Sequence, residues 1–369
     1  MTRGLVLFSA LALALLPCGL GCGGGTKTRS GPQAADVSKE ALADFARGVE
    51  ASGADGKSDD ALTHFERAAT RDPEMWEARF NLGLVLAERG ELGRAEQELA
   101  AAAKRAPDAE DVVVAWGEVC RRRGDTQCAI AALEPFTKRH PEALTARASL
   151  VSALREASKT DAAITEARAV LVQRPGDATT LSELALAHLD RGELDAAELL
   201  VQQALASEQK TAAAERTAGL VALRRGEDAL AFRHFERAAE LNPRDSTALL
   251  NIGTVLLRAG VFERAEKAFR AVLESDSSDL DAKLGLAAAL RGRGTRQSPA
   301  PFTEAEKLLL EVLEAQPKNA AASLNLGVLY LRSLDRKADA KKMLQRAKSD
   351  ASPTEEAYAR AEALLQEVQ

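Results

Sequence analysis

The sequence predicts an all-α solenoid of about nine helical hairpins followed by one C-terminal capping helix. The first observation is alanine at a constant step of 34 residues: Ala61, Ala95, Ala129, Ala163, Ala197, Ala231 and Ala265. The second is proline at the same step or twice that step: Pro73, Pro107, Pro141, Pro175 and Pro243. The third is a small residue 12 positions before most of these alanines: Gly83, Gly117, Ala185, Gly219 and Gly253, with Val151 as the exception. A fixed period of this length indicates one packing unit copied along the chain.

The first half of each repeat is predicted to be a helix that ends at a glycine. In the repeat 76–109, Leu82, Gly83 and Leu86 have helical spacing, and Gly90 follows them. A helix end favours a left-handed residue, which glycine adopts without a Cβ penalty. Glycine recurs at the equivalent position as Gly124, Gly192, Gly226, Gly260 and Gly294.

The second half is predicted to be a helix that ends before a proline. Ala95, Leu99 and Ala102 again lie three and four residues apart, and Pro107 cannot continue a helix. We expect the small residues at the Gly83 and Ala95 positions to face each other, with the leucines filling the seam. One hairpin cannot bury its own apolar face, so neighbouring hairpins must stack.

This pattern resembles the tetratricopeptide repeat (TPR) family over roughly residues 40–352. Counted from Trp76 as position 1, the family's characteristic positions are Leu82, Gly83, Leu86, Ala95, Leu99, Ala102 and Pro107. The resemblance implies a right-handed superhelix whose first helices line a concave face that binds peptides or proteins. Four residues depart from the pattern: Val151, Ser158, Gln209 and Ser277.

The repeats are predicted to fill residues 39–353 of the chain. Their expected bounds are 40–75, 76–109, 110–143, 144–177, 178–211, 212–245, 246–279, 280–319 and 320–353. Insertions are expected near 52–57 and 295–301. Residues 354–369 form the predicted capping helix, with Thr354 as its N-cap. Such a helix would cover the last repeat.

Residues 1–21 are predicted to be a signal peptide. Arg3 precedes an apolar run from Leu5 to Leu16, which is too short to span a bilayer. The segment resembles a bacterial lipoprotein signal, and Cys22 after Gly21 is the implied lipidation site. Residues 22–38 would then be a lipidated cysteine and a flexible tether. Gly23 after the cysteine implies the outer membrane, and the alternative is a cleaved signal with a secreted product.

The remaining cysteines, Cys120 and Cys128, flank Gly124 within one predicted hairpin. In an oxidising compartment such a pair can form a disulfide, and the alternative is two buried thiols. A metal site is not expected, because the sequence offers no third ligand near them.

The sequence predicts no catalytic site and no cofactor. His64 and His234 stand in identical hexapeptides 170 residues apart, which assigns them to the scaffold. His188 is expected in the core and His140 at a helix end. The sequence shows no phosphate-binding loop, serine elbow, zinc motif or His/carboxylate pair. The net charge of −6 without a basic block argues against nucleic acid, and no small-molecule substrate is evident.

The partner-binding residues are expected at the family's concave positions in the C-terminal half. They form an apolar groove with an arginine rim: Leu186, Leu189, Arg216, Leu220, Leu223, Arg224, Leu250, Leu257, Arg258, Leu284, Arg291, Leu324, Leu331 and Arg332. Such a groove would suit an amphipathic helix or an extended peptide with acidic flanks. Alternatively, some of these leucines pack against the next repeat and the arginines only solvate the surface. Asn251 and Asn325 are interpreted as common scaffold residues of the family.

These observations predict a non-catalytic interaction scaffold. The expected protein is a TPR lipoprotein of the outer membrane that faces the periplasm. It would support the assembly of an envelope machinery, such as a secretin, a pilus, outer-membrane proteins or gliding motility. The alternatives are a secreted soluble adaptor and a repeat subunit that regulates an enzyme in trans.

Overall fold

A computed structural model describes residues 38–53, 58–295 and 297–368. These residues form nineteen α-helices and no β-strand. In chain order, α1 to α19 are Lys39–Ser52, Ser58–Arg71, Trp76–Glu88, Leu92–Arg105, Glu110–Arg122, Thr126–Arg139, Leu144–Glu156, Thr160–Gln173, Ala178–Asp190, Leu194–Ala206, Ala212–Arg225, Asp228–Leu241, Ser246–Arg258, Phe262–Ser275, Leu280–Arg293, Ala300–Ala315, Ala320–Arg332, Lys337–Asp350 and Glu356–Glu367. The all-α repeat fold predicted from the sequence is confirmed. The signal peptide, Cys22 and the tether lie outside the described residues.

The chain divides into two compact units, with the boundary between Glu166 and Ala167. In the first unit, each helix from α1 to α7 packs on the next, and α5 also contacts α3 and α7. In the second unit, successive helices from α9 to α19 pack in the same way. There the odd-numbered helices also contact each other, as in the pairs α13 with α15 and α15 with α17. These odd-numbered helices are the first helices of their hairpins.

The two helices of a hairpin approach closely because a glycine of the first helix leaves space for a large side chain of the second helix. A Cβ on Gly83 would lie 2.6 Å from Leu99 Cγ and 3.3 Å from the Ala95 carbonyl oxygen. The expectation that Gly83 faces Ala95 therefore holds only for the backbone of Ala95. The space at Gly83 is filled by Leu99, whose side chain is fully buried.

The predicted helix ends occur at all six glycines, since α15 also ends at Arg293 with Gly294 as its C-cap. Gly90, Gly124, Gly192, Gly226 and Gly260 have φ between 71° and 80°, which is the left-handed region. Only the expected left-handed conformation is wrong for Gly294, which is extended at φ −61° and ψ 143°. A Cβ on Gly294 would lie 2.1 Å from the ring of Phe302, so the close approach of that ring explains the glycine.

The capping helix α19 covers the end of the second unit. Ala361 is fully buried in a cluster with Leu324, Val328, Leu344 and Ala347. The prediction of Thr354 as N-cap is wrong, because α19 begins at Glu356 and its cap residue makes no side-chain hydrogen bond. Thr354 Oγ1 instead lies 3.0 Å from the hydroxyl of Ser352. Among the described residues, no helix combines the length and apolarity needed to cross a bilayer.

Candidate partner-binding groove

An open groove of about 430 Å³ lies across the first helices α13, α15 and α17 of the second unit. Its apolar lining includes three predicted contact residues, Leu250, Leu257 and Leu284. Helical spacing of three and four residues places the side chains of one helix on a common face, which explains why these positions meet here. The groove has the size of an ordinary ligand cleft.

The groove also contains polar residues that the sequence analysis did not assign to it. Asn251 and Asn325 line it, together with Asp281 at the first turn of α15. The Asn251 amide nitrogen donates to the Thr247 carbonyl oxygen at 2.8 Å, which leaves the amide oxygen available. Asparagine at position 6 of the repeat was interpreted from the sequence as a scaffold residue. Other residues about one helical turn from position 6 line the groove, and this spacing could have revealed the role of position 6.

The other predicted leucines are only partly exposed, because one side of each packs on the core. Leu186 and Leu220 contact the cluster around Ala197 and Val201. Leu220 also contacts a larger cluster around Phe235 and Phe269, as do the remaining members of this set: Leu223, Leu250, Leu257, Leu284 and Leu331. Each leucine thus combines repeat packing with a partly accessible surface.

The prediction that Leu189 and Leu324 contact a partner is wrong. Leu189 is 6% exposed and packs with Ala185, Ala197 and Val221. Leu324 is 5% exposed because α19 packs over it. Sequence position alone cannot reveal that a capping helix covers one repeat of the series.

Three of the five predicted rim arginines are held by carboxylates of the same unit. Arg216 pairs with the buried Asp245. Arg258 Nη2 lies 3.2 Å from Asp228 Oδ2. Arg332 pairs with Glu367 of the capping helix. These guanidinium groups join neighbouring elements, so part of the charge of the predicted arginine rim is compensated within the unit.

The remaining two rim arginines, Arg224 and Arg291, have no carboxylate partner among the described residues. Arg224 is exposed at the end of α11. Arg291 is half-buried near the end of α15. Burial lowers the pKa of the Arg291 guanidinium, and the cationic Arg360 of α19 lowers it further. Arg291 therefore carries its charge in surroundings that do not compensate it.

In the first unit, the equivalent positions are polar and internally paired. Arg121 Nη1 lies 2.6 Å from Glu118 Oε2, and its Nε lies 2.9 Å from Glu156 Oε2. Arg122 Nη2 donates to the Ala87 carbonyl oxygen at 2.9 Å. These side chains link successive helices, which favours a structural role.

All four histidines lie near a carboxylate, which the sequence analysis did not anticipate. The pairs, with their N–O distances, are His188–Glu193 at 2.5 Å, His234–Glu215 at 2.7 Å, His140–Asp108 at 3.0 Å and His64–Asp44 at 3.7 Å. His64 and His234 hold equivalent positions and each faces an acidic residue of the preceding helix. The residues of a pair are 5 to 32 positions apart, so only the fold brings most of them together.

Cys120 and Cys128 are joined in a disulfide across the turn between α5 and α6. The sequence argument that no third metal ligand is near does not hold, because a carboxylate oxygen of Glu96 lies within 4.8 Å of both sulfur atoms. Glu96 is paired with Arg123. In the disulfide form neither sulfur is a thiolate, which is the form that binds metal.

The sequence model of the tetratricopeptide repeat family matches five segments of the chain: 45–110, 114–178, 182–246, 250–296 and 302–356. The chain belongs to the tetratricopeptide repeat family. The TPR fold generally serves non-enzymatic protein–protein interaction, so the repeats indicate an interaction scaffold. No curated protein matches the chain closely enough to count as a relative.

Solved TPR structures resemble the chain in fold at low sequence identity. A chain of the Cut9–Hcn1 hetero-tetramer of the APC/C is 15% identical, with a TM-score of 0.64 over 85% of this chain. The match spans 63% of that chain, which is less than two thirds of its length. YrrB, a TPR protein with an unusual peptide-binding site, is 20% identical, with a TM-score of 0.38 over 53% of this chain and 97% of YrrB. MamA from Desulfovibrio magneticus RS-1 is 21% identical, with a TM-score of 0.41 over 48% of this chain and 99% of MamA.

Proposed function

We propose that the protein is a non-catalytic scaffold whose groove across α13, α15 and α17 binds a segment of a partner protein. The observation that carries the proposal is the groove itself, in which Leu250, Leu257 and Leu284 present apolar surface beside the amides of Asn251 and Asn325. Apolar surface supplies affinity, and side-chain amide oxygens can accept hydrogen bonds from a peptide backbone. This combination suits a protein segment better than a small polar metabolite.

The groove is tested by placing a charge within it. Leu250→Asp combined with Leu257→Asp should abolish capture of the partner, because both side chains line the groove and a carboxylate in an apolar contact loses its hydration without compensation. The matched control is Leu199→Asp on α10, where the wild-type side chain is 57% exposed and lies outside the groove lining. Circular dichroism should show unchanged helicity for both variants. Equal capture by the double variant and the control would refute the groove.

The proposed scaffold acts without chemistry of its own. An alternative is a repeat subunit that regulates an enzyme in trans. Purification of the tethered protein after chemical cross-linking in cells distinguishes the two. Recovery of a stoichiometric catalytic subunit would favour the regulatory alternative. Recovery of non-catalytic components of an envelope assembly would favour the scaffold.

We propose an outer-membrane lipoprotein that faces the periplasm and is anchored through Cys22. The support is the apolar run before Cys22, the small residue Gly21, and the Cys120–Cys128 disulfide, which suits an oxidising compartment. Cys22→Ser should move the protein from the membrane fraction to the soluble fraction, since the acyl chains would be lost. Membrane retention of the variant would contradict lipidation. Release of the wild-type protein into the medium would favour the secreted adaptor.

The machinery served by the scaffold is proposed as one that assembles in the envelope. The support is the resemblance of the chain, in its signal and its repeats alone, to the lipoproteins that assist secretin, pilus, outer-membrane-protein and gliding-motility systems. Cross-linking of the membrane-tethered protein, followed by identification of the partner, tests this level of the proposal. A partner confined to the cytoplasm would overturn it.

A further inference from the structure

Helix α15, which lines the groove, carries opposite charges at its two ends. Asp281 lies in the first turn of α15 and lines the groove. Arg291 lies ten residues later in the last turn, which corresponds to about 15 Å along the helix axis. Neither side chain has an ion-pair partner in the part of the chain that the structure describes. Between them, Leu284 and Ala288 line the apolar part of the groove.

Arg291 occupies the same repeat position as a groove-lining residue of the preceding hairpin. Leu257 lies 34 residues earlier in the sequence and lines the groove from α13. Arg291 also follows Ala288 by one turn of α15, which places it on the face that borders the groove. The sequence therefore has an arginine where the preceding hairpin has the groove-lining Leu257, and α15 carries a cation next to that end of the groove.

The surroundings of Arg291 differ from those of the paired arginines. Arg216, Arg258 and Arg332 each meet a carboxylate of the same unit, and each therefore contributes to contacts between helices. Arg291 is half-buried, and burial, followed by the charge of Arg360, lowers the pKa of its guanidinium. Burial of a guanidinium without an anion opposes folding, so packing of this unit alone does not account for Arg291. An anion supplied from outside the chain would compensate its charge.

We infer that Arg291 is the acid-recognition end of the groove and that the bound partner segment carries a carboxylate side chain next to its apolar residues. The inference rests on the proposed function, because it names the chemistry of the segment that this groove binds. Arginine forms two parallel hydrogen bonds with a carboxylate, which fixes the position of the acid. Asp281 favours a cationic or neutral residue of the partner segment at the other end. If the segment is extended, that residue lies about five positions from the acidic one.

The test is selection from a random twelve-residue phage-display library on the full-length chain and on three variants. The wild type should select peptides in which an acidic residue follows or precedes apolar residues at a constant spacing. Arg291→Gln should keep the apolar preference and lose the acidic one. Synthetic copies of the selected peptides should bind Arg291→Gln about tenfold more weakly, since a hydrogen-bonded charge is lost. Arg237→Gln on α12 is the matched control and should select as the wild type does, because Arg237 is exposed and lies outside the groove lining.

The outcomes separate this inference from the proposed function. Apolar selection without an acidic preference in the wild type would overturn the role of Arg291 and leave the groove intact. Selection on the wild type that is indistinguishable from selection on the Leu250→Asp, Leu257→Asp variant would refute the groove itself. The unfolding midpoint of Arg291→Gln should equal or exceed that of the wild type, because the variant removes an uncompensated cation. A lowered midpoint would assign Arg291 to the structure instead.

Discussion

Gly253 of α13 lies directly against the aromatic ring of Phe269 on α14. A Cβ at Gly253 would stand 2.5 Å from Phe269 Cζ, and the ring is 2% exposed. Gly219 meets Phe235 in the same way in the preceding hairpin, also at 2.5 Å. The absence of a side chain on the first helix therefore provides the space into which the second helix packs its largest residue.

Gly253→Ala should destabilise the second unit by about 1 to 3 kcal/mol, because the added methyl group overpacks the contact with Phe269. Urea unfolding followed by circular dichroism measures the change. Gly93→Ala on α4 is the control, since nothing lies within 4 Å of a Cβ there. That control should be neutral or slightly stabilising because alanine favours the helix. Phe269→Leu should partly restore Gly253→Ala, and failure of this rescue would contradict the packing relationship.

Ser158→Gly should stabilise the first unit by about 1 kcal/mol. Ser158 holds the turn position that is glycine in most other repeats and has φ 57°, where a residue with a Cβ is strained. Thermal unfolding of the variant should show a higher midpoint. Ser158→Ala, which keeps the Cβ, should give no such gain. Equal midpoints for the glycine and alanine variants would show that strain at this turn is negligible.

The Cys120–Cys128 disulfide predicts that unreduced protein accepts no alkylating reagent at either residue. Mass spectrometry after alkylation under denaturing conditions measures this directly, and two alkylated thiols would contradict the bond. Cys120→Ala combined with Cys128→Ala should lower the stability of the first unit by about 2 kcal/mol, because the short cross-link restrains the unfolded chain. Reduction of the wild type should lower stability by a similar amount and leave the double variant unchanged.

In an alkaline titration, Tyr330 should ionise at a higher pH than a tyrosine of the unfolded chain. Burial, followed by the 2.7 Å hydrogen bond to Glu306, raises the pKa of its hydroxyl to about 12. In the unfolded chain a tyrosine ionises near pH 10, so between these values the unfolded state has lost a proton that the folded state retains. The stability that Tyr330 contributes is therefore complete below pH 10 and is lost as the pH rises to about 12.

Tyr330→Phe provides the measurement. The chain has two tyrosines, so the difference in phenolate absorbance between the wild type and this variant reports Tyr330 alone. The difference should appear near pH 12. Glu306→Gln removes the charge that disfavours the phenolate and should move the transition to lower pH. A wild-type transition near pH 10 would contradict the arrangement around Tyr330.

Most of the fold could be predicted from the sequence because it depends on local patterns. The 34-residue period and the prolines anticipated where helices end, as at Arg105 before Pro107. The left-handed glycines followed from the same period. The left-handed conformation was wrongly predicted for Gly294, because an insertion follows it and the ring of Phe302 occupies the adjacent space. The prediction of Thr354 as an N-cap was wrong because several residues near the start of a helix can be its cap.

The candidate site was less predictable because its accessibility depends on other helices. The sequence placed Leu250, Leu257 and Leu284 on the helix face that forms the groove. It could not show that α19 buries Leu324, or that Arg332 pairs with Glu367 35 residues later. Asn251 and Asn325, which line the groove, hold the same repeat position in the sequence, but they were interpreted as scaffold residues.

The sequence by itself determined the repeat, the helical hairpin and the family, because each follows from residues close together within one period. Only the tertiary structure decided which leucines remain accessible and which arginines are ion-paired, and it left Arg291 half-buried near the end of α15 without an ion-pair partner among the described residues. The physical reason is that burial and ion pairing depend on contacts between side chains of different helices. The spacing of residues within one helix does not determine these contacts.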